Sequence, residues 1–258
     1  MKKFTSVLLI LVMLVSVLAL SSCSKTTEQI VNAAMKKLDE ANAVDASMKM
    51  SVKTDVAGVA TDTEMTYSMK MTDLLTDAPK FSATASTKSL GMTIDMDMYC
   101  DGTMLFLSML GQKMKVDIKD AAGADYDMAG TLEGVSVEIP EEILSKTEYS
   151  VDEEGNYVVK FELTGEEFAA IFSELAADIT ADVAETVNGF SAVKYELIIT
   201  PDLDLKRLSF EIPMSMTVEG TSFNMTTALE ITFNSYADSI DLDVPTDLDS
   251  YVEMPNIG

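Results

Sequence analysis

The feature that most constrains the fold is a period of two in hydrophobicity, which returns many times between residues 46 and 233. Apolar and polar side chains alternate from Met48 to Val52 and from Met65 to Met71, and again from Leu208 to Val218 and from Phe223 to Phe233. Successive side chains of a β-strand point to opposite faces, so each such run has one apolar and one polar face. The pattern predicts an antiparallel sheet of about eleven strands whose apolar face is buried.

Two segments have the different period of an amphipathic helix. One follows a capping box at Thr26 and Gln29, and the other follows a capping box at Thr164 and Glu167 and stops at Asn188-Gly189. Their apolar stripes are formed by Ile30, Ala34, Leu38 and Ala41, and by Phe168, Ile171, Phe172, Leu175 and Ile179. Residues 120–140 are aperiodic and predict a crossover, after which Pro140 to Leu144 predicts a short helix.

A sheet of this size must curl or split, and its concave apolar face needs cover. We therefore predict an α+β fold, in which residues 28–258 form a single half-barrel domain closed by the two helices. A two-sheet sandwich would also bury the strands, but it would leave the helix after Thr164 without a groove.

The N-terminus has the layout of a secretory signal peptide. Met1-Lys2-Lys3 is followed by an apolar run from Val7 to Leu20, which is shorter than the roughly 20 residues that span a bilayer. Leu20-Ser21-Ser22-Cys23 resembles the lipobox of bacterial lipoproteins, whose cysteine is acylated. The resemblance implies a signal peptide at residues 1–22, lipidation of Cys23, a tether at residues 23–27, and a location at the extracytoplasmic face of the cell membrane.

The lipobox, the first helix, the successive hairpins, the mid-chain helix and the three long final strands together resemble the LolA/LolB and LppX/LprG superfamily. The stretch from Tyr99-Cys100-Asp101-Gly102 to Gly111-Gln112-Lys113-Met114-Lys115 is similar to a Tyr-x-Asp-Gly hairpin of Gram-positive lipoproteins of this shape. The resemblance implies a curved sheet closed by helices around a cavity that binds acyl chains. The chain departs from that pattern in having no Trp.

The composition argues against several functional classes. The chain has no His and a formal charge of -25, so it lacks imidazole chemistry and would repel nucleic acid. No phosphate loop, metal-ligand cluster or marked acid–base pair is present in the sequence, and we expect neither enzymatic activity nor a cofactor. We interpret the acidic segments 152–156, 202–204 and 241–243 as solvated turns, because their spacing is not that of a calcium loop.

Methionine is the more informative residue, since the chain has 19 of them. Flexible thioethers can repack around variable apolar ligands, although they also serve as core filler, and a methionine-ligated copper site would need ligands less widely spread. The hypothesis places a ligand against apolar positions of the strands, namely Met48, Met50, Met65, Tyr67, Met69, Met96, Met98, Phe210, Met214, Met216, Phe223 and Met225.

Cys100 shares a strand face with Met96 and Met98 and has no disulfide partner once Cys23 is lipidated, so it is either a buried inert thiol or a reactive one. The sequence thus predicts a membrane-anchored protein that binds an acyl chain or another hydrophobic molecule, a role compatible with lipid or lipoprotein transfer. The alternative is a structural or interaction lipoprotein with a filled core and an acidic binding surface.

Overall fold

A computed structural model describes residues 25–56, 58–119, 139–168, 187–218 and 221–254. The predicted signal peptide, Cys23, most of the predicted crossover and the predicted helix beyond Phe168 lie outside the described residues. At residues 187–190, 216–218 and 221–222 the structure describes the backbone but not the side chains.

The described residues form a few helical segments and many strands. The helices are α1 (Thr27–Asp39), α2 (Glu141–Leu144) and a 3-10 turn at Leu248–Ser250. The strands are β1 (Ala43–Val56), β2 (Val59–Thr72), β3 (Lys80–Ser89), β4 (Met92–Cys100), β5 (Met104–Met109), β6 (Gln112–Asp117), β7 (Tyr149–Val151), β8 (Tyr157–Leu163), β9 (Val187–Phe190), β10 (Val193–Ile199), β11 (Leu205–Val218), β12 (Thr221–Ala237) and β13 (Val252–Glu253).

All thirteen of these strands belong to one curled sheet, with the order β13-β6-β5-β4-β3-β2-β1-β12-β11-β10-β8-β7 and with β9 paired to β11. Two meanders, β1–β6 and β7–β12, are joined where β1 pairs with β12 along their length, from Ala43↔Ala237 to Val56↔Phe223. The predicted α+β fold with one large antiparallel sheet is confirmed.

Helices α1 and α2 cover one half of the sheet. α1 begins at the predicted capping box, where Gln29 N donates to Thr26 Oγ1 over 3.2 Å. Its buried residues Ile30, Val31 and Ala34 pack with Leu144 of α2 against β8, β10 and β11. The dry core therefore lies on the β7–β12 side of the sheet.

Three details differ from the sequence-based expectation. The described residues contain thirteen strands rather than about eleven, because the short strands β9 and β13 have too few residues to show a period. Asn188-Gly189 is part of β9, a strand that the sequence did not predict, where Gly189 pairs with Ser215 of β11; the end of the helix that this pair was predicted to stop lies outside the described residues. The tail after Ala237 follows the surface but ends in β13, which pairs in parallel with β6 through Val252↔Met114.

Candidate functional site

Apolar side chains form continuous rows across the strands of the sheet. Directly paired residues of antiparallel strands point to the same face, so the register identifies each row. One row runs Val159–Leu197–Leu208–Ile231–Met48–Tyr67–Ala85–Met96, and the next runs Phe161–Tyr195–Phe210–Leu229–Met50–Met65. The two rows cross from the covered half of the sheet to the other half.

At the covered end, the rows are packed core. Leu197 and Val159 are fully buried. Phe161 stacks on Tyr195 with 4.9 Å between ring centroids, and Tyr195 contacts Phe210 at 5.4 Å. Phe210, one of the twelve candidate ligand-lining residues, therefore belongs to the edge of the core.

On the β1–β4 side, the same face carries methionines that are only half-buried. We call this surface the methionine face; it consists of Met48, Met50, Met65, Tyr67, Met69, Met96 and Met98. Neither α1 nor α2 is among the elements that pack on these strands. Seven of the predicted ligand-lining residues are thus brought together on one continuous surface.

Alanines lie in the middle of the methionine face. Ala83 and Ala85 of β3 are 6% and 8% exposed, and they pair with Met69 and Tyr67 on one side and with Met98 and Met96 on the other. β3 thus forms a floor of small side chains between two walls of long ones, and we call it the alanine furrow. Sequence reasoning did not select these alanines, although their alternation with polar residues marks the strand.

The walls of the furrow can move because they are built from flexible side chains. Tyr67 Oη donates to Met65 Sδ over 3.7 Å, and a thioether is a weak acceptor that is readily exchanged. Each methionine side chain has several rotatable bonds. The furrow is therefore an adaptable apolar surface rather than a rigid slot.

The other candidate residues lie farther along the same face. Met214 pairs with Met225 and Met216 pairs with Phe223, close to the β11–β12 hairpin. Met225 and Phe223 are half-buried, whereas the side chain of Met216 lies outside the described residues. The register therefore puts the eleven candidates with described side chains on one face but spreads them over the core edge, the methionine face and this hairpin.

A trough of about 1140 Å³ crosses strands β8, β10, β11, β12, β1 and β2. Along its middle lies the apolar row that runs from Phe161 of β8 to Met65 of β2, which includes the candidate residues Met50, Met65 and Phe210. The two rows that flank it are largely polar. The flanking side chains point away from the apolar face by strand alternation, and Lys49, Glu162 and Lys194 among them are exposed. The trough therefore opens on the polar outer face, opposite the methionine face.

Ion pairs organise the outer face next to this trough. Glu196 receives Lys160 Nζ at 2.6 Å and Arg207 Nη2 at 2.7 Å. The hydrogen bond from Lys160, together with that from Arg207, holds the pKa of Glu196 below its usual range despite partial burial. This carboxylate stays ionised, so it does not have the raised pKa of a general acid.

The acidic segments have local partners. Asp152 Oδ1 accepts Asn156 N at 2.8 Å, Asp204 receives Lys37 at 2.9 Å, and Asp243 receives Lys70 at 2.8 Å. Within the described part of the chain, no group of three or more Cys, Asp or Glu side chains is arranged to hold a metal ion.

Cys100 is free and fully buried at the end of β4. Burial raises the pKa of its thiol, although the Gly102 N–H donates to Sγ over 3.3 Å. Of the two alternatives for Cys100, the geometry supports the buried thiol, because the nucleophilic form is the thiolate.

None of the helices in the described residues is long and apolar enough to cross a membrane. Comparison with curated proteins gives no match.

Solved structures give matches of low identity. LprF from Mycobacterium bovis is 10% identical, with 85% of this chain and 96% of that chain covered and a TM-score of 0.44. Rv2717c from M. tuberculosis is 9% identical, with 76% and 95% covered and a TM-score of 0.24. A putative outer membrane lipoprotein-sorting protein domain from Vibrio parahaemolyticus is 11% identical, with 84% and 95% covered and a TM-score of 0.23.

The sequence match to a family is more extensive. Residues 26–250 match a family of unknown function, DUF6612, from the capping box of α1 to the end of the 3-10 turn. This range includes every strand of the sheet except the final β13. The chain belongs to the DUF6612 family.

Proposed function

We propose that the protein is a lipid-anchored extracytoplasmic protein that holds an acyl chain or another apolar molecule along the alanine furrow. One observation carries the proposal: the apolar rows of the core continue onto the methionine face, where the side chains are half-buried and the floor is alanine. An extended chain lying along β3 would contact methionine on both sides.

The energetic basis is nonpolar burial. Each methylene group that leaves water contributes about 0.8 kcal/mol, so a long chain lying in the furrow would bind without a charged contact. The strands that form the walls, β2 and β4, are each a neighbour of β3, so the walls lie about 10 Å apart at the backbone. Methionine side chains can adjust this width to ligands of different shape.

The proposed activity is binding without covalent chemistry. The side chains of the furrow are Met, Ala and Tyr67, which offer neither a carboxylate nor an amine to a reacting group. A role in passing lipid between carriers would use the same surface.

The test is binding of cis-parinaric acid, a fluorescent long-chain fatty acid, to the full chain. Ala85→Leu places a larger side chain on the furrow floor and should abolish the rise in fluorescence. Thr84→Leu is the matched control, because it adds the same side chain to the opposite, exposed face of β3. Urea unfolding of both variants separates loss of binding from loss of folding. Equal fluorescence for wild type and Ala85→Leu would refute the furrow as the binding site.

The outer trough favours a second candidate, an interaction protein whose polar face binds a basic partner. Its flanking rows contain five glutamates, among them the exposed Glu64 and Glu211, against three lysines, Lys49, Lys160 and Lys194. Such binding would weaken as salt rises, whereas nonpolar binding in the furrow would not. The salt dependence of any detected association therefore distinguishes the two candidates.

A further inference from the structure

Three hairpins of the β1–β6 meander turn at the same end of the sheet. β1 and β2 turn between Val56 and Val59, β3 and β4 turn at Leu90-Gly91, and β5 and β6 turn at Leu110-Gly111. Residues 59–62 of β2 extend beyond β3, and residues 92–95 of β4 extend beyond β5. At the opposite end the same strands are flush, as the pairs Ala43↔Thr72, Thr72↔Lys80 and Phe81↔Cys100 show, so the hairpins become shorter from β1–β2 to β5–β6. The three turns therefore lie along one slanted rim of the sheet.

This rim carries large apolar side chains in contact with solvent. Leu90 is 76% exposed, Leu110 72%, Met92 66%, Val59 66% and Ile94 40%. We call these five residues the apolar rim.

The rim is also uncharged, in a chain whose formal charge is -25. Residues 56–61, 89–94 and 108–112 contain no Asp, Glu, Lys or Arg. The turns at the opposite end carry Asp73, Asp101 and Asp202. The turns themselves therefore carry no charge that an anionic membrane surface would repel, and the nearest acids, Asp55, Asp62 and Asp95, lie behind them along the strands.

Leucine is an unfavourable residue for the backbone conformation of the turns at Leu90 and Leu110. Both leucines have positive φ, 50° and 52°, and each is followed by a glycine that also has positive φ. A two-residue hairpin loop with positive φ at both positions favours Asn-Gly or Asp-Gly, and leucine is sterically disfavoured there. Because both leucines are exposed, burial within the chain does not compensate for this strain, which points to a use outside the fold.

The first residues of α1 lie toward the same end of the sheet. The C-terminal part of α1 lies at the opposite end of the sheet, where Lys37 Nζ donates to Asp204 Oδ1 over 2.9 Å in the β10–β11 turn. The first residue of the helix lies closer to the rim end of the sheet, where Thr27 Oγ1 donates to the Thr147 carbonyl over 2.6 Å. The N-terminal end of α1 therefore lies nearer to the rim end of the sheet than its C-terminal end does.

From these observations we infer that the apolar rim rests on a phospholipid bilayer, with Leu90 and Leu110 inserted among the lipids. The inference rests on the proposed function for its anchor: the four Cα–Cα steps from Cys23 to Thr27 span at most about 14 Å. It also extends that function, because β3 leads from the alanines of the furrow directly to Ser89 and Leu90. An apolar ligand could then pass along β3 between the bilayer and the furrow, past Thr87 and Ser89 on the same face of the strand.

The absence of Trp from the chain allows a single-tryptophan test. Leu90→Trp and Leu110→Trp place the only tryptophan on the rim. Leu75→Trp is the matched control, because Leu75 is 64% exposed in the β2–β3 turn at the opposite end. Each acylated full chain is reconstituted into phosphatidylcholine–phosphatidylglycerol vesicles with brominated acyl chains.

We expect blue-shifted emission and severalfold stronger quenching at positions 90 and 110 than at position 75. Equal quenching at all three positions would overturn the inference, and a blue shift that depends on protein concentration without vesicles would assign the rim to a second copy of the chain instead. If the acylated chain does not stay on the vesicles, the anchor of the proposed function is wrong, and the same reporters on unanchored chain then test the rim by itself.

A second variant separates the rim from the furrow. Leu90→Asn with Leu110→Asn gives both turns the residue that their backbone favours, so folding is preserved. This variant should still bind cis-parinaric acid added from solution but should take it up from vesicles severalfold more slowly. Unchanged uptake from vesicles would refute the role of the rim, whereas loss of binding from solution would contradict the furrow.

Discussion

The ring of Tyr251 meets the ring of Phe106 edge to face, with 5.4 Å between centroids. Phe106 lies on β5, on the face opposite the methionine face, and both rings are buried, with 6% and 7% of their surface exposed. Lys113 Nζ lies 5.6 Å from the centroid of Tyr251 and also pairs with Asp247. The C-terminal segment is thus fixed across the outer face of β2 to β6, ahead of β13.

We expect Tyr251→Ala to destabilise the protein by about 3 kcal/mol, because it removes the aromatic side chain that fills this contact. Tyr251→Phe keeps the ring and should retain most of the stability. The measurement is the urea midpoint of each variant. If Tyr251→Ala unfolds at the same urea concentration as the wild type, the segment does not contribute to the fold.

Asp101 organises the turn between β4 and β5. Its Oδ1 accepts Thr103 N at 2.9 Å, Thr103 Oγ1 at 2.8 Å and Met104 N at 2.8 Å. Burial by itself would raise the pKa of Asp101, but these hydrogen bonds outweigh it and hold the pKa below its ordinary value. Asp101→Ala should cost about 1–2 kcal/mol, and Asp101→Asn less, since the amide oxygen can still accept.

The same carboxylate predicts a pH dependence. A folded-state pKa below the unfolded one gives stability that is present above the unfolded pKa, about 3.9, and is lost as pH falls through the folded pKa. The stability difference between wild type and Asp101→Asn should therefore shrink as the pH is lowered below about 4. Urea titrations at several pH values check this, and a difference that stays constant down to acid pH would contradict it.

The sequence predicts the strand faces well because one physical constraint acts on each strand separately. The alternation around Met48, Met65 and Met96 reflects burial of one face, so it needs no knowledge of neighbouring strands. The pairing of β1 with β12 could not be derived in this way, since it joins residues almost two hundred positions apart through contacts that leave no local pattern.

In the candidate site, too, the sequence identifies residues that a local pattern marks and misses residues whose role depends on strand pairing. Methionine and Phe were selected because large apolar residues stand out, whereas Ala83 and Ala85 matter only once the register places them between β2 and β4. The leucines of the rim carried a readable signal, a Leu-Gly pair between two alternating runs, but their exposure and positive φ are properties of the folded turns.

Two glycines allow the effect of a steric contact to be separated from that of backbone strain. Gly102 has φ +97°, and a Cβ there would lie 2.9 Å from the Ala78 carbonyl oxygen; Gly111 has φ +77° with nothing within 4 Å. Gly111→Ala should cost about 1 kcal/mol from strain alone. Gly102→Ala should cost clearly more, and equal urea midpoints for the two variants would contradict the contact with Ala78.

Cys100 should behave as a reporter of unfolding. Its thiol is fully buried and its pKa is raised by burial, so little thiolate is accessible in the native state. In the Cys23→Ser chain, where it is the single thiol, reaction with Ellman's reagent should be far slower than that of free cysteine and should accelerate only as urea unfolds the protein. Rapid reaction of the native protein would show that the C-terminal end of β4 opens in the folded state and exposes the thiol.

Ligand binding in the alanine furrow should appear as stability. A ligand that binds only the folded chain stabilises it by about 2.7 kcal/mol at one hundred times its Kd. Saturating cis-parinaric acid should therefore raise the urea midpoint of the wild type and of Thr84→Leu, whose new side chain faces away from the furrow. The midpoint of each variant without ligand is its own reference, so only the ligand-dependent increment is compared and any loss of packing in Ala85→Leu does not enter the comparison. That increment should vanish in Ala85→Leu, because leucine occupies the floor on which the acyl chain would lie. An increment of equal size in all three proteins would place the ligand on another surface.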